Sequence, residues 1–404
     1  SEGCEVRTLS AFATRLPEYS GSLFFISLSC YIYAMKRFGL FLLLFFPASL
    51  AAQNNILDKP HLLEKVNHCL ESIYAYHFEE ATGTHLEIES ALPNHPATSF
   101  LKALLIYWEN MPLTPENPES VQFLRQMERT VALADSMLEQ NADHLEGIFF
   151  DLHARAFMAM FWADNGRPGK VLSDIDNMYR QMLRGFERMD EFNEFYFSSG
   201  LYNYYIEAYP ETHPVYKPLA LLLRKGDKEK GLQHLRHATL STTYLRVEAI
   251  FFMSLIQLNY ENNMALAARY AANLYNRFPD NIFYTGHYIT ILLHNNRIDF
   301  AEVLLENLDQ SNDPYARMLY QVLGGMVQEI AYRDYEKASR MYERGLKLSE
   351  PFSPFADLHR AMAYAGKSRI ARLKGTGNAK QLSRQAERLT NYRFILDYVP
   401  PGSR

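Results

Sequence analysis

Residues 262–281 read Asn262-Asn-Met-Ala-Leu-Ala267-Ala-Arg-Tyr-Ala271-Ala-Asn-Leu-Tyr-Asn-Arg277-Phe-Pro279-Asp-Asn281, and this stretch decides the fold. An asparagine pair opens it, a short amphipathic helix follows with Ala267 near its start, and Pro279 closes it. The pattern returns around Ala301, with Pro314, and around Ala338, with Pro351. The three alanines are 34 and 37 residues apart, and Gly231 holds the equivalent place 36 residues before Ala267. A helix pair recurring near this period cannot bury its apolar face alone, so it stacks on its neighbours. A small residue at one fixed point lets the paired helices approach closely.

Working outward, the first helix of each pair shows its own period. Val247, Ile250, Phe251, Ser254, Leu255 and Leu258 step by threes and fours, as do Leu319, Val322, Leu323, Met326, Val327 and Ile330. Each set predicts one apolar helix face. The second helices open at turn signals: Gly226-Asp227, with Asp227 as N-cap, then Asn262-Asn263, Asn295-Asn296 and Asp334. Strand-like alternation is absent. Breakers divide the chain into predicted pairs at 57–92, 97–141, 143–188, 191–240, 243–278, 281–309, 314–349 and 353–391. The predicted fold class is all-α, an αα superhelix of about eight helix pairs spanning 53–398 and most regular over 226–350. The segment 191–225 is the least regular. It predicts an aromatic helix from Phe192 to Tyr209, a Pro-rich turn and a short helix from Pro218 to Arg224. Residues 399–404 read as a frayed tail.

The chain has 404 residues, a formal net charge of -5, and 27 Tyr and 26 Phe against 2 Trp. Tyr and Phe suit helix-helix seams. No basic stripe stands out in the sequence, which argues against a nucleic-acid partner. No apolar run after residue 53 reaches the roughly 20 residues that span a bilayer, so no stable span is expected in the mature chain. Upstream, Lys36 and Arg37 precede the apolar run Phe38–Phe46, then Pro47 and the small residues Ser49, Ala51 and Ala52. Residues 35–52 therefore read as a signal peptide, with an exported, periplasmic or secreted product. Met35 opens that segment by itself, and residues 1–34 read as an untranslated or disordered extension. Of three cysteines only Cys69 lies in the mature chain, where it reads as a buried apolar residue.

The segment Gly200-Leu-Tyr-Asn-Tyr-Tyr-Ile-Glu-Ala-Tyr-Pro210, with Gly226-Asp-Lys-Glu-Lys-Gly231-Leu-x-x-Leu235-x-x-Ala238, resembles exported bacterial tetratricopeptide-repeat proteins. More distantly, it is similar to the eukaryotic inclusion-body-clearance family of tetratricopeptide-like proteins. The resemblance covers about residues 195–281 and, more loosely, extends to 350. It implies a helical-repeat fold, a non-enzymatic scaffold role and no catalytic motif. The chain departs from the tetratricopeptide pattern in lacking the first-helix Trp. Its residues four after the small position are Ala271, Leu305 and Tyr342.

No catalytic motif, metal set or cofactor is expected. His234 and His237 lack a third ligand. Glu191, Glu194 and Glu207 read as helix carboxylates. The candidate binding surface is the stripe Tyr202, Tyr205 and Tyr209, spaced three and four apart, with Asn203 and Arg246. Packing is one reading of that stripe. The other is an exposed tyrosine ladder facing a ligand. Gly226, Gly231, Ala267, Pro279, Ala301 and Ala338 define the repeat. Two functions remain open: a scaffold binding a protein or peptide on its concave face, and a receptor holding a small molecule, glycan or lipid in a pocket near 195–250. The oligomeric state is not legible.

Overall fold

In the computed structural model the described residues are Ile56 and 59–400, apart from 172–173, 215–216 and 222. The expected extension, the signal peptide and residues 401–404 lie outside them. Eight helix pairs follow one another among the described residues: α1 (Pro60–Tyr74) with α2 (Phe78–Ala91), α3 (Pro96–Glu109) with α4 (Glu119–Gln140), α5 (Leu145–Asp164) with α6 (Ile175–Phe186), and α7 (Phe195–Thr212) with the one-turn α8 (Lys217–Ala220) and α9 (Lys228–Ser241). The later pairs are α10 (Arg246–Asn259) with α11 (Met264–Arg277), α12 (Ile282–His294) with α13 (Ile298–Asp309), α14 (Pro314–Val327) with α15 (Tyr335–Leu348), and α16 (Asp357–Leu373) with α17 (Ala379–Leu389). A last turn, α18 (Arg393–Leu396), follows. The architecture is a tetratricopeptide-like αα superhelix. Among the described residues there is no strand, and no helix is long and apolar enough to cross a membrane.

The pairs form because their turns are chemically specified. Asp227, Asn263, Asn281, Asp313 and Asp334 each accept a hydrogen bond from a backbone N–H in the first turn of the helix they open. The turn inside each regular pair needs one left-handed residue, supplied by Asn262, Asn296 and Arg333, and later by Gly375. The expected cap at Asn295-Asn296 is different in kind. Asn296 supplies the left-handed turn, while Arg297 precedes α13 without a side-chain cap. The aromatic helix also differs from its expected bounds: α7 begins at Phe195 and carries Pro210 inside its last turn.

The small positions sit where helices touch. Ala267, Ala301 and Ala338 are fully buried. A side chain on Gly231 would lie 2.5 Å from the backbone nitrogen of Tyr204, so only glycine lets α9 approach α7 this closely. Gly226 lies against Ile206 and the carbonyl of Asn203, and Pro279 is an exposed turn residue between α11 and α12.

First helices pack on each other along the inside of the stack, as α1 on α3, α12 on α14 and α14 on α16. They are buried nearly all round. In α10 the residues Ala249, Phe252, Met253 and Ile256 are buried as well as the predicted face. The single apolar face expected for these helices is thus two, because the superhelix closes on itself. The Tyr74 hydroxyl donates to Glu248, Arg277 pairs with Glu71, and Asn281 Nδ2 donates 3.0 Å to the Tyr74 carbonyl. Trp108 packs on Phe283 and Tyr284, with ring centroids 6.0 and 5.4 Å away. These contacts join segments roughly 200 residues apart in sequence and fill the inner side of the N-terminal half with aromatic rings.

Candidate functional site

The expected tyrosine stripe lies in this interior. Tyr202, Tyr205 and Tyr209 are at most 2% exposed, so they form no open ladder. The Tyr202 hydroxyl donates to the Arg224 carbonyl, Tyr205 stacks edge-on against Tyr204 and Tyr260, and Tyr209 stacks on His213. The reason is geometric. α7 is a first helix: the close crossing at Gly231 covers one side, Tyr179 and Phe186 of α6 cover Tyr202, and Tyr260 covers Tyr205. Asn203 is half-buried and donates to the Ser199 carbonyl at 2.8 Å. Arg246 donates through Nε to the Thr242 carbonyl and faces Asn67 of α1, so it belongs to the seam that closes the superhelix.

The other sequence candidates are also engaged. Glu194 is buried, accepts from the Thr243 and Tyr244 backbone, and is pushed up to about 7 by desolvation. Glu207 accepts from the Lys228 backbone and Glu191 pairs with Arg188. His234 bonds Ser199, and both His234 and His237 pack on Tyr196. The buried Cys69 thiol donates to the Ala81 carbonyl, and burial pushes it up to about 12.

An inner-face pocket lies further along the chain than the expected 195–250 region. Its vestibule, about 740 Å³, opens between the end of α7 (Glu211, Thr212, His213), the α10–α11 turn (Asn259, Tyr260, Asn262) and the C-terminal segment (Asn391, Arg393, Asp397). Behind it an apolar chamber of about 30 Å³ is walled by Leu255, Phe283, Tyr315, Leu319 and Leu358. Leu258, Asn259, Tyr392 and Phe394 border both spaces.

Polar side chains from three first helices line the apolar chamber: Asn259 of α10, His287 and Thr290 of α12, and His359 of α16. Ser254, beneath them, holds His287. The Ser254 hydroxyl donates to the Ala267 carbonyl, so it accepts from His287 Nε2 at 2.9 Å. His287 therefore carries its proton on Nε2 and keeps Nδ1 as an acceptor. His359 is buried, and neither ring nitrogen has a hydrogen-bond partner among the described residues; Asn259 Oδ1 has none either. Burial holds His359 down to about 4 and His287 to about 3, so both are neutral at pH 7. A chamber of this size admits a water that bonds the partnerless atoms.

The C-terminal segment caps the pocket. Asn391 Nδ2 donates to His213 Nε2 at 2.6 Å, and the rings of Phe394 and Tyr398 pack on His294 at 4.9 and 4.8 Å. Arg369 lies over Tyr398 at 5.3 Å. The sequence reading missed this site. Its signal was His287 and His359, histidines two repeat lengths apart on first helices.

No protein-family model matches this chain, and no curated protein matches it. Among solved structures, the chain is similar to the human IFIT1 dimer with PPP-AAAA, at 15% identity and a TM-score of 0.36, over 82% of this chain and 95% of that one. At that score no ligand, partner or ancestry is carried to this chain.

Proposed function

We propose that this chain is a non-enzymatic helical-repeat scaffold that receives an extended, aromatic-bearing peptide of a protein partner on its inner face, at the capped pocket. One observation carries the reading: the chain's own Asn391–Tyr398 segment, with its aromatic rings at Tyr392, Phe394 and Tyr398, lies across the first helices there. A groove that seats an aromatic segment in cis has the shape and chemistry to seat one in trans. The partner is a protein or peptide, not a nucleic acid, because among the described residues the vestibule sets Glu211 and Asp397 against one cation, Arg393.

Selection of random peptides on the full chain tests this. Aromatic-rich peptides are expected, with affinity falling at least about tenfold for His359→Phe, which keeps an aromatic side chain but removes the polar atoms. Selected peptides indifferent to that change contradict the proposal. A second reading, a small amphipathic ligand reaching from the vestibule into the chamber, draws on the partnerless Asn259 and His359 atoms. Native mass spectrometry of the purified chain separates it by a bound non-peptide mass. Export belongs to the proposal as well. It expects the mature protein to begin at Ala52 or Gln53, and N-terminal sequencing that finds residue 1 or 35 removes it.

A further inference from the structure

The whole-chain charge of -5 conceals a segregation. Residues 333–400 hold fourteen Lys and Arg against seven Asp and Glu. On α15, Lys337, Arg340, Arg344 and Lys347 are exposed and step by threes and fours, opposite the buried Ala338, Met341, Tyr342 and Gly345. On α17, Lys380, Arg384 and Arg388 repeat the same stripe opposite Leu382 and Ala386. None of these seven cations has an ion-pair partner among the described residues. The outer face of the preceding second helix, α13, is acidic instead, with Asp299, Glu306 and Asp309 exposed. The basic stripe not evident in the linear sequence is thus a feature of the last two repeats.

Aliphatic side chains stand among these cations. Leu373, the last residue of α16, is 57% exposed between the exposed Arg372 and Lys374, and Leu348 is 37% exposed beside Lys347. α15 and α16 run antiparallel, as the approach of Lys374 to Glu336 shows, so the two leucines mark opposite ends of the cationic face. The aromatic residues of α15, Tyr335 and Tyr342, are half-buried and buried, and the exposed Tyr332 before it is tied to Glu302 of the acidic α13, so the stripe itself carries no stacking platform for bases. Exposed cations with aliphatic side chains at the margin match the surface of an anionic bilayer, where the cations meet headgroups and the leucines enter the acyl boundary.

We propose that the outer face of the last two repeats docks on an anionic phospholipid surface, holding the inner-face pocket at the membrane. The test is co-sedimentation of the full chain with phosphatidylcholine vesicles and with vesicles that also contain phosphatidylglycerol. Binding is expected only to the second kind, weakening as salt is raised. Arg344→Gln and Arg384→Gln should each lower it about fivefold. Leu373→Ser should lower it without changing the salt dependence. Circular dichroism should be the same for all three, since each side chain is exposed. No sedimentation with phosphatidylglycerol vesicles at low salt overturns the proposal. So does wild-type binding by both arginine variants, or single-stranded RNA binding to this face while vesicles are left in solution.

Discussion

Gly231 and Gly83 are both helical glycines with opposite consequences. A methyl at Gly231 meets the backbone of Tyr204 and Gly200, whereas a methyl at Gly83 meets nothing within 4 Å. Gly231→Ala should therefore cost about 1–3 kcal/mol by forcing α9 off α7. Gly83→Ala should stabilise by about 0.5–1 kcal/mol through the unfolded chain. Urea denaturation of the two variants checks both signs, and equal effects would contradict the close crossing. The small positions were legible because glycine or alanine recurring at the same point of successive amphipathic helices marks a place where two helices must nearly touch. The fate of the tyrosines was not. Tyr202, Tyr205 and Tyr209 share a stripe whether it faces water or a neighbouring helix, and burial depends on contacts with Tyr179 and Phe186 of α6 and with Tyr260 after α10 that no local pattern encodes.

At the scale of the elements, turn chemistry made the helix pairs readable: Asp227, Asn263 and Asp334 cap where the sequence places them. What lay beyond reach was the partner of each first helix. Apolar residues at threes and fours predict one buried face, but α10 also meets the sequence-distant α1 through Arg246 and Glu248 and sets Phe252 against Phe197 of α7. The pocket escaped for the same reason, since α7, α10, α12, α14, α16 and the C-terminal segment meet only in the closed superhelix. One polar network pins the last repeats. Arg369 donates to both oxygens of the buried Glu329 at 2.7 and 2.9 Å, and the Tyr342 hydroxyl donates to Glu329 at 2.6 Å. Glu329→Ala leaves a buried guanidinium without its counter-ion and should cost about 3–5 kcal/mol. The Glu329→Ala, Arg369→Met double variant should recover part of that loss. Thermal unfolding of the pair measures it, and an additive double variant would contradict the coupling.

The whole molecule carries a pH signature. Burial pushes Asp164, Glu194 and Glu248 up to about 7 from ordinary values of 3.8 and 4.5. The folded chain therefore binds more protons than the unfolded one between those limits. Their contribution is full below the unfolded value and is lost as pH rises through about 7. The histidines held low by burial, His153, His287, His294 and His359, act in the opposite sense, but only below about 6.5, where the unfolded chain takes up protons. From pH 6.5 to 8 the carboxylates act alone, so stability should fall, by up to about 1.4 kcal/mol per pH unit for each group. Glu248→Gln should flatten that fall. A Tm that rises over this window would contradict the desolvation of these carboxyls.

The most direct test of the account asks whether the inner face recognises its own cap as a ligand. A full chain carrying Tyr392→Ala, Phe394→Ala and Tyr398→Ala should leave the pocket uncovered while the helix pairs stand. A labelled peptide of the sequence Thr390–Pro400 should then bind it in fluorescence polarisation. The wild-type chain should bind the same peptide at least about tenfold more weakly, because its tethered segment competes at millimolar effective concentration. Adding His359→Phe should weaken the interaction with the uncovered chain. A folded triple variant that ignores the peptide would contradict a peptide seat on the inner face.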